Sequence, residues 1–431
     1  MNGILTGPKN SLALKKTGKY RWVICALLFF ACTVNYMDRQ VLGLLKPLLS
    51  QRFSWTEMDY SRMAILFQGA YAIGQVLFGP IINWIGAKSA YGLSVLVWSS
   101  AAMSQAFCST VGGFSVARFA LGLGESGNYP TAIRVVAEWF PAKERSVATG
   151  LFNTGSNMGA IFAPVLVPLI VAYFGGWQAA FITLACTDLV WLGFWLALYN
   201  PPEKSARIGA GELAHIQSGA ATAAAKKIRW VDLLRYRQAW AYYATCVLVG
   251  PVWWFYGFWL PDFFNRKFHL DLRQFGPPLV VIYAITAVGS IGGGGLSAWL
   301  LKRGWSLNWS RKGSTLLFAC CTLPVIFAPR VESVWLAAAF FALAAASHQG
   351  WSATMYSVVA DIFPKGAVAS VVGLGGTLAS IMSMGFFYLV GHVLQGDGSY
   401  KNIMLICGSA YVVAWIIFQL GVPEVKPAVI E

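Results

Sequence analysis

Long apolar stretches separated by short charged or turn-forming segments dominate this chain. The apolar runs lie at about 21–48, 61–83, 88–109, 112–138, 146–173, 178–199, 240–264, 274–300, 312–329, 332–361, 366–394 and 401–421. Each is close to or above the roughly 20 residues a helix needs to cross a bilayer core. They far exceed the roughly 10-residue alternating segments of a membrane barrel. Lipid offers no partner to backbone N–H and C=O groups, so runs of this kind cross as helices. The pattern predicts an all-α integral membrane protein of twelve transmembrane helices.

The longest connection, Asn200 to Ala239, divides the runs six and six. It opens with Pro201 and Pro202, holds an Ala-rich stretch at 219–225 and carries seven Lys and Arg. The predicted organisation is a six-helix bundle at 1–199, a cytoplasmic linker at 200–239 and a second six-helix bundle at 240–431. The linker's charge suits orientation and contact with anionic lipid headgroups.

An internal repeat supports the division. Shifting by 223 residues brings Glu138 onto Asp361, Phe140 onto Phe363, Pro141 onto Pro364, Gly150 onto Gly373 and Thr154 onto Thr377 without gaps. Corresponding segments in two halves are what a duplicated transporter shows, with its site at the interface between repeats. A membrane enzyme has no need of such a repeat.

Composition agrees. Of 431 residues 57% are hydrophobic and 11% charged, against roughly 25% charged in soluble domains. The net charge of +15 would suit a nucleic-acid partner were it not one-sided. The N-terminus, including Lys9, Lys15 and Lys16, and the even-numbered loops hold 21 Lys and Arg, and the opposite side holds 7. That excess places both chain ends in the cytoplasm of a cell inner (plasma) membrane and removes the nucleic-acid reading. The eight Cys are scattered within apolar runs (Cys25, Cys32, Cys186 and Cys246 among them), with Cys320–Cys321 the one adjacent pair. They show neither metal-ligand spacing nor a disulfide framework. The first run leads into charged sequence rather than a small-residue cleavage site, so no cleaved signal peptide is expected.

Charge inside the runs carries the chemistry. Run one holds Asn35-Tyr36-Met37-Asp38-Arg39-Gln40. An ionised residue at mid-bilayer costs about 2.5–3.5 kcal/mol on insertion scales and calls for water, a partner or a ligand. Asp38 lies about 25 Å beyond Arg21 along a helix, and apolar sequence resumes at Val41–Leu45, which argues against a helix end. Run four holds Arg118 and Glu125, seven residues and about two turns apart on one face. The small residues between them allow close helix approach. Movement of the Arg relative to the Glu would switch the carboxylate's protonation; the alternative is a static ion pair. Gly122, Gly124 and Gly127 formally match G-x-G-x-x-G, but within an apolar helix and with no preceding strand the match is accidental. The glycines at 292–295 read as helix packing.

Run ten carries Ser347-His348-Gln349-Gly350-Trp351-Ser352 at mid-span. These groups suit a hydroxylated ligand, although a single His in a bundle is often only internally hydrogen-bonded. Trp253, Trp254 and Tyr256 in run seven are either core or a stacking surface. Lys46 is a further cation within run one. No nucleophile–base pair or phosphate loop rises above noise, so an enzyme is not expected, and no cofactor or metal is called for.

These residues carry a resemblance. The chain resembles the anion:cation symporter family of the major facilitator superfamily, and within it the bacterial hexuronate transporters. The segments are NYMDRQVLGLL at 35–45, ARFALGLGESGN at 117–128, AEWFPAKER at 137–145, NTGSNMGAIFA at 153–163 and HQGWS at 348–352. The segment 79–88 is similar to the superfamily's loop between spans two and three, but Asn83 replaces the usual Asp and Trp84 the usual Arg. That departure puts the usual gating salt bridge in doubt. The resemblance implies two pseudo-symmetric six-helix bundles around a central cavity and import of a sugar acid, a hexuronate such as glucuronate or galacturonate, by proton symport. Alternatives are another organic anion (an aldonate or aldarate) or a drug:proton antiporter. It implies Asp38 and Glu125 as proton-carrying acids, Arg39 on the substrate carboxylate, Arg118 paired with Glu125, and Tyr36 and Tyr71 lining the cavity. His348, Gln349, Trp351 and Ser352 are expected to complete the substrate site. The implied partners are the anionic substrate, protons and membrane lipid, and the protein is expected to be a monomer.

Overall fold

The computed structural model describes residues 18–218 and 230–428. Lys9, Lys15, Lys16, the Ala-rich stretch 219–225, Lys226, Lys227 and Arg229 lie outside the described residues. The helices are α1 (Tyr20–Phe53), α2 (Glu57–Ser104), α3 (Val111–Glu125), α4 (Asn128–Trp139), α5 (Ala142–Phe174), α6 (Gln178–Leu198), the short α7 (Ala210–Gln217) and α8 (Trp230–Leu233), α9 (Arg237–Phe268), α10 (Gly276–Lys302), α11 (Leu307–Thr322), α12 (Val334–Ile362), α13 (Lys365–Gly396) and α14 (Lys401–Gly421).

Nine helical stretches among the described residues are long and apolar enough to cross a membrane. One of them, α2, crosses twice. Its two arms meet at Gly86, whose backbone sits at φ 78°, ψ 163°, a conformation open essentially to glycine. The α3–α4 pair and α12 bring the spans to twelve. The expected loop at 79–88 is therefore a single-residue break between helices. It is secured by the Lys88 carbonyl, which accepts the Trp195 indole N–H at 3.0 Å, and by the Lys88 ammonium, which donates to Asn200 at 3.0 Å.

Span four departs from the expected continuous helix over 112–138. Its hydrogen-bond ladder is locally interrupted at Ser126–Gly127, directly after Glu125, while both residues keep helical φ and ψ. The Gly127 amide shifts to the Gly124 carbonyl at 3.3 Å, and the Ser126 hydroxyl takes the Leu123 carbonyl at 2.6 Å. A local loosening of helix hydrogen bonds at membrane depth is tolerated where protein surrounds it. Here a Cβ on Gly122 would lie 2.3 Å from the Phe67 carbonyl oxygen, and one on Gly124 would lie 2.6 Å from the Trp98 amide nitrogen. The small residues of run four are what let α2 come this close. In the second half, Gly293 packs against Gly350 in the same way, a Cβ falling 2.1 Å from the Gly350 Cα.

The sequence repeat reappears as repeated backbone detail. Pro141 and Pro364 are the N-caps of α5 and α13, at φ −62°, ψ 153° and φ −62°, ψ 151°. Phe140 and Phe363 donate their amides to Val136 and Val359 at 3.0 and 2.9 Å. Thr154 bonds the Gly150 carbonyl at 2.9 Å, and Thr377 bonds that of Gly373 at 3.1 Å. The fold is an all-α membrane bundle of twelve helices in two related six-helix halves.

The outer surface is apolar where that of a soluble protein is polar. Val76, Val116, Leu169, Val190, Val288 and Leu420 are exposed on the outside, whereas Asp38, Arg39, Lys46, Arg118, Glu125, Asp188 and Asp262 are buried inside. An apolar exterior around polar interior groups is what a lipid solvent selects.

Both ends of the described chain lie on one face, called here the terminal face. Tyr20 donates to the Leu198 carbonyl at 2.8 Å, Lys312 to that of Pro423 at 2.5 Å and Ala428 to that of Ile362 at 2.8 Å. The linker helix α7 straps to the first half on this face. The Arg21 amide donates to Glu212 at 3.0 Å, the Arg21 guanidinium to Glu144 at 2.8 Å, and His215 Nε2 meets Glu144 at 3.0 Å.

The halves touch each other toward the opposite, far face. Tyr60 donates to the Phe258 carbonyl at 2.8 Å and Ser61 to that of Phe387 at 2.5 Å. Gly276 abuts the Pro164 carbonyl. In the half nearer the terminal face lies a cavity lined by α9, α12 and α13. The half-bundles are thus in contact toward the far face.

Candidate functional site

Arg39 lies about 29 Å along α1 from Tyr20, in a helix about 51 Å long, so it is near mid-length. Its Nε donates to Glu125 Oε2 at 2.8 Å, and its Nη2 lies 2.7 Å from the same oxygen. Aromatic rings close around the guanidinium: its central carbon is 4.6 Å from the Tyr36 ring, 4.9 Å from Tyr71, 5.0 Å from Trp254 and 5.5 Å from Phe67. These are cation–π distances. The cage fixes the cation without using all of its N–H groups.

Glu125 is fully buried at the end of α3, and its Oε1 has no hydrogen-bond donor among the described residues. The expected partner, Arg118, is not the one it takes. Arg118 is 1% exposed and makes no hydrogen bond among the described residues. Its guanidinium lies over Phe67 at 4.4 Å and Phe258 at 5.5 Å. Two turns along one face bring Arg118 and Glu125 near each other, but Arg39, reaching in from α1, takes the carboxylate. Arg118 feels Glu125 and Asp38 only through space.

Asp38 and Arg39, though adjacent, point to different neighbours. Asp38 faces Asp188 of α6, within hydrogen-bonding reach, with Glu125 and Arg118 next among the charges. Sequence reasoning missed Asp188. Its signal was an acid in the middle of the apolar run 178–199, the same signal that singled out Asp38 and Glu125.

Tyr36, Arg39 and Gln40 line a cavity together with Trp253, Trp254, Tyr256 and Tyr283. The cavity of α9, α12 and α13 is lined by His348, Trp351 and Ser352, and again by Trp253 and Trp254. The two indoles therefore stand between a deep, cationic chamber and one nearer the terminal face. His348 stacks on Trp253, with ring centroids 4.7 Å apart and planes 4° from parallel. Its Nδ1 meets the Tyr411 hydroxyl at 2.6 Å and its Nε2 the Ser352 hydroxyl at 3.5 Å. Gln349 lines neither cavity, because it sits one residue on and about 100° around the helix from His348. Tyr71 reaches the site through Arg39 and packs edge-on to Trp254 with centroids 5.7 Å apart.

Lys46, unassigned from sequence, is fully buried and sits in a network that ties the halves together near the far face. Its Nζ lies 2.7 Å from Glu57 of α2 and 2.7 Å from Asp262 of α9. Arg266 pairs with Glu57 and lies 2.8 Å from Asp262, and the Tyr400 hydroxyl donates to Asp262 at 2.5 Å. Asp262 was also missed, although it too lies in an apolar run.

A cavity at the interface of two related half-bundles, walled by Arg39 and aromatic rings and adjoined by a second one within α9, α12 and α13, suits passage of a small polar solute rather than covalent chemistry. Comparison with known proteins bears this out. The chain is 28% identical over 396 residues to the hexuronate transporter of Escherichia coli (strain K12), covering 89% of this chain and 90% of that protein. It is 30% identical over 259 residues to the galacturonate transporter of Dickeya chrysanthemi, covering 59% of this chain and 74% of that one. Its fold matches the crystal structure of a bacterial homolog of the human lysosomal transporter Spinster, in an inward-facing and unoccupied conformation, with a TM-score of 0.72 at 17% identity over 94% of this chain and 96% of that one. The sequence profile of the Major Facilitator Superfamily matches residues 28–387, so this multi-pass membrane protein is a transporter, not an enzyme, and belongs to that superfamily.

Proposed function

We propose that this chain imports a sugar acid, a hexuronate such as galacturonate or glucuronate, together with protons across the cell inner membrane. One observation carries the reading: a caged guanidinium, Arg39, on the wall of a deep cavity, held by a single buried carboxylate. A buried cation is costly unless an anion visits it, and a planar guanidinium holds a visiting carboxylate through two parallel hydrogen bonds. The hexuronate and galacturonate transporters it is similar to support the same substrate class.

The terminal face is cytoplasmic, a placement supported by the 21-to-7 excess of Lys and Arg. The half-bundle contacts then close the periplasmic side, and the bundle faces inward. In this state Glu125 occupies Arg39. A proton on Glu125 removes the charge that holds Arg39 and frees the guanidinium for the substrate carboxylate. Trp253 and Trp254 offer flat surfaces to the sugar ring, and His348 and Ser352 offer polar groups to its hydroxyls. Alternation between the two anionic occupants of Arg39 couples substrate to proton. Opening outward requires the Lys46–Glu57–Asp262–Arg266 network to separate.

The test is counterflow in proteoliposomes: labelled galacturonate entering vesicles preloaded with glucuronate, galactonate, galactarate or neutral galactose. Exchange driven by the hexuronates and not by galactose is expected. Exchange driven equally by galactose would overturn the sugar-acid reading, and exchange driven only by galactonate or galactarate would move the substrate to another sugar acid.

A further inference from the structure

Asp188 is an ionisable group for which the coupling scheme above has no use. It is fully buried in α6, and neither of its carboxyl oxygens has a donor in hydrogen-bond geometry among the described residues. The Asp38 carboxyl, 2% exposed, faces it with an equally unpartnered Oδ2. The other polar groups near Asp188 are the Trp98 indole N–H, which like the carboxyl has no partner in hydrogen-bond geometry among the described residues, and the Ser99 hydroxyl of α2; neither stands between the two carboxyls as a formed bond. The Ser99 hydroxyl is already spent on the Val95 carbonyl at 2.7 Å. The Trp191 indole N–H, one turn further along α6, pins this helix to α1 through the Leu27 carbonyl at 2.9 Å. The two carboxyls therefore cannot drift apart without moving a packed helix.

Two acceptors in contact with no donor between them are mutually repulsive, and in a buried site that repulsion is little screened. One proton turns the contact into an O–H···O⁻ hydrogen bond and supplies the missing donor. The charges of the surrounding cluster agree. The charges that act on the pair are Arg118 and Glu125, and Glu125 in turn holds Arg39, so the connected cluster counts two cations and three carboxyls. A single carboxyl proton brings this cluster to neutrality, the state a low-dielectric interior favours.

We infer that Asp188 and Asp38 together hold one transported proton, as a hydrogen-bonded carboxylic acid–carboxylate pair. The inference rests on the proton-coupled reading above and adds Asp188 to its machinery. The proton enters from the periplasmic side when that side is open and bridges the two carboxyls. It leaves to cytoplasmic water when α1 moves relative to α6 and the pair separates. No covalent bond changes, and the proton is the only species transferred.

Three measurements on the full-length protein test this. In wild-type protein labelled with ¹³C at the aspartate side-chain carboxyl, infrared spectroscopy at neutral pH should show an isotope-shifted carbonyl stretch of a protonated carboxyl. Its absence overturns the pair, and no variant needs to fold for that outcome. In proteoliposomes, Asp188→Asn should keep galacturonate counterflow and lose proton-driven accumulation, and its galacturonate affinity should change with pH by about one proton less than wild type. Accumulation and pH slope like those of wild type would overturn the inference. Asp38→Asn should remove the same proton, and the double variant should lose no more than either single one; additive losses would mean two separate sites and sink the sharing. If wild type shows no galacturonate counterflow, the transport reading fails instead, while the infrared band still decides whether the two aspartates share a proton.

Discussion

Arg39→Lys isolates the recognition step. Lys keeps a positive charge on α1 but replaces a planar fork by a single ammonium. In the present state Nε and Nη2 both converge on Glu125 Oε2, at 2.8 and 2.7 Å, so one edge of the guanidinium is shaped for carboxylate oxygen. A substrate carboxylate on that edge takes two charge-assisted bonds, and Lys would leave one. Hydrogen bonds to charged groups contribute about 1.5–3 kcal/mol each, which is about 10- to 150-fold in Kd. The rings of Tyr36, Tyr71 and Trp254 hold a guanidinium by its flat face, so the ammonium should also be less well fixed. Arg39→Ala is the harsher change and should nearly abolish binding. It also strands Glu125 as a buried, unpaired carboxylate, a defect worth about 3–5 kcal/mol, so its effect mixes recognition with stability. Calorimetric titration of purified protein with galacturonate, and with galactose as the neutral control, reads the difference. A Lys variant whose galacturonate Kd stays within about threefold of wild type, under 1 kcal/mol, would refute Arg39 as the carboxylate anchor; Arg118 would be the next candidate.

Other outcomes follow from the same geometry. Glu125→Gln keeps shape and removes the titratable group that holds Arg39; proteoliposomes should lose proton-driven accumulation of galacturonate while retaining counterflow, and accumulation like wild type would sink the assignment. Lys46→Met removes the cation shared by Glu57 and Asp262. Weakening the far-face contact by about 1.4 kcal/mol shifts the inward–outward balance about tenfold, so a cysteine placed at Ala160, which lines the deep cavity, should react about that much faster with an impermeant thiol reagent added outside; an unchanged rate would remove the network from gating. Gly124→Ala puts a methyl 2.6 Å from the Trp98 amide nitrogen and should destabilise the protein by about 1–3 kcal/mol, as overpacking does, read as a lowered midpoint in thermal unfolding of detergent-solubilised protein.

The twelve spans and the two-fold plan were legible because length and apolarity are properties of each segment by itself. The repeat was legible for the same reason, down to the proline caps at 141 and 364. Which acids and cations lie inside the membrane could also be read, because any ionised group in an apolar run is conspicuous; applied evenly, that rule would have found Asp188 and Asp262. Partner choice was not legible. Arg118 and Glu125 share a face of one helix, yet Glu125 takes Arg39 of α1, and Asp38 turns to α6 while its neighbour Arg39 turns to α3. Those pairings depend on helix rotation and crossing, which arise only when all the helices pack. The orientation of Gln349 away from the cavities, and the local loosening of span four after Glu125, depend on the same packing: one on the rotation of α12, the other on close contact between α2 and the glycines of α3.

Symport makes a direct demand on the wild-type protein. Vesicles containing it, with a pH-sensitive dye inside and equal pH and no voltage across the membrane, are given galacturonate outside. A substrate that moves inward with protons must acidify the interior. Acidification with galacturonate, none with galactose, and none with galacturonate in the Glu125→Gln protein is the predicted result. Galacturonate counterflow without any internal pH change would contradict proton coupling through Glu125 and Arg39.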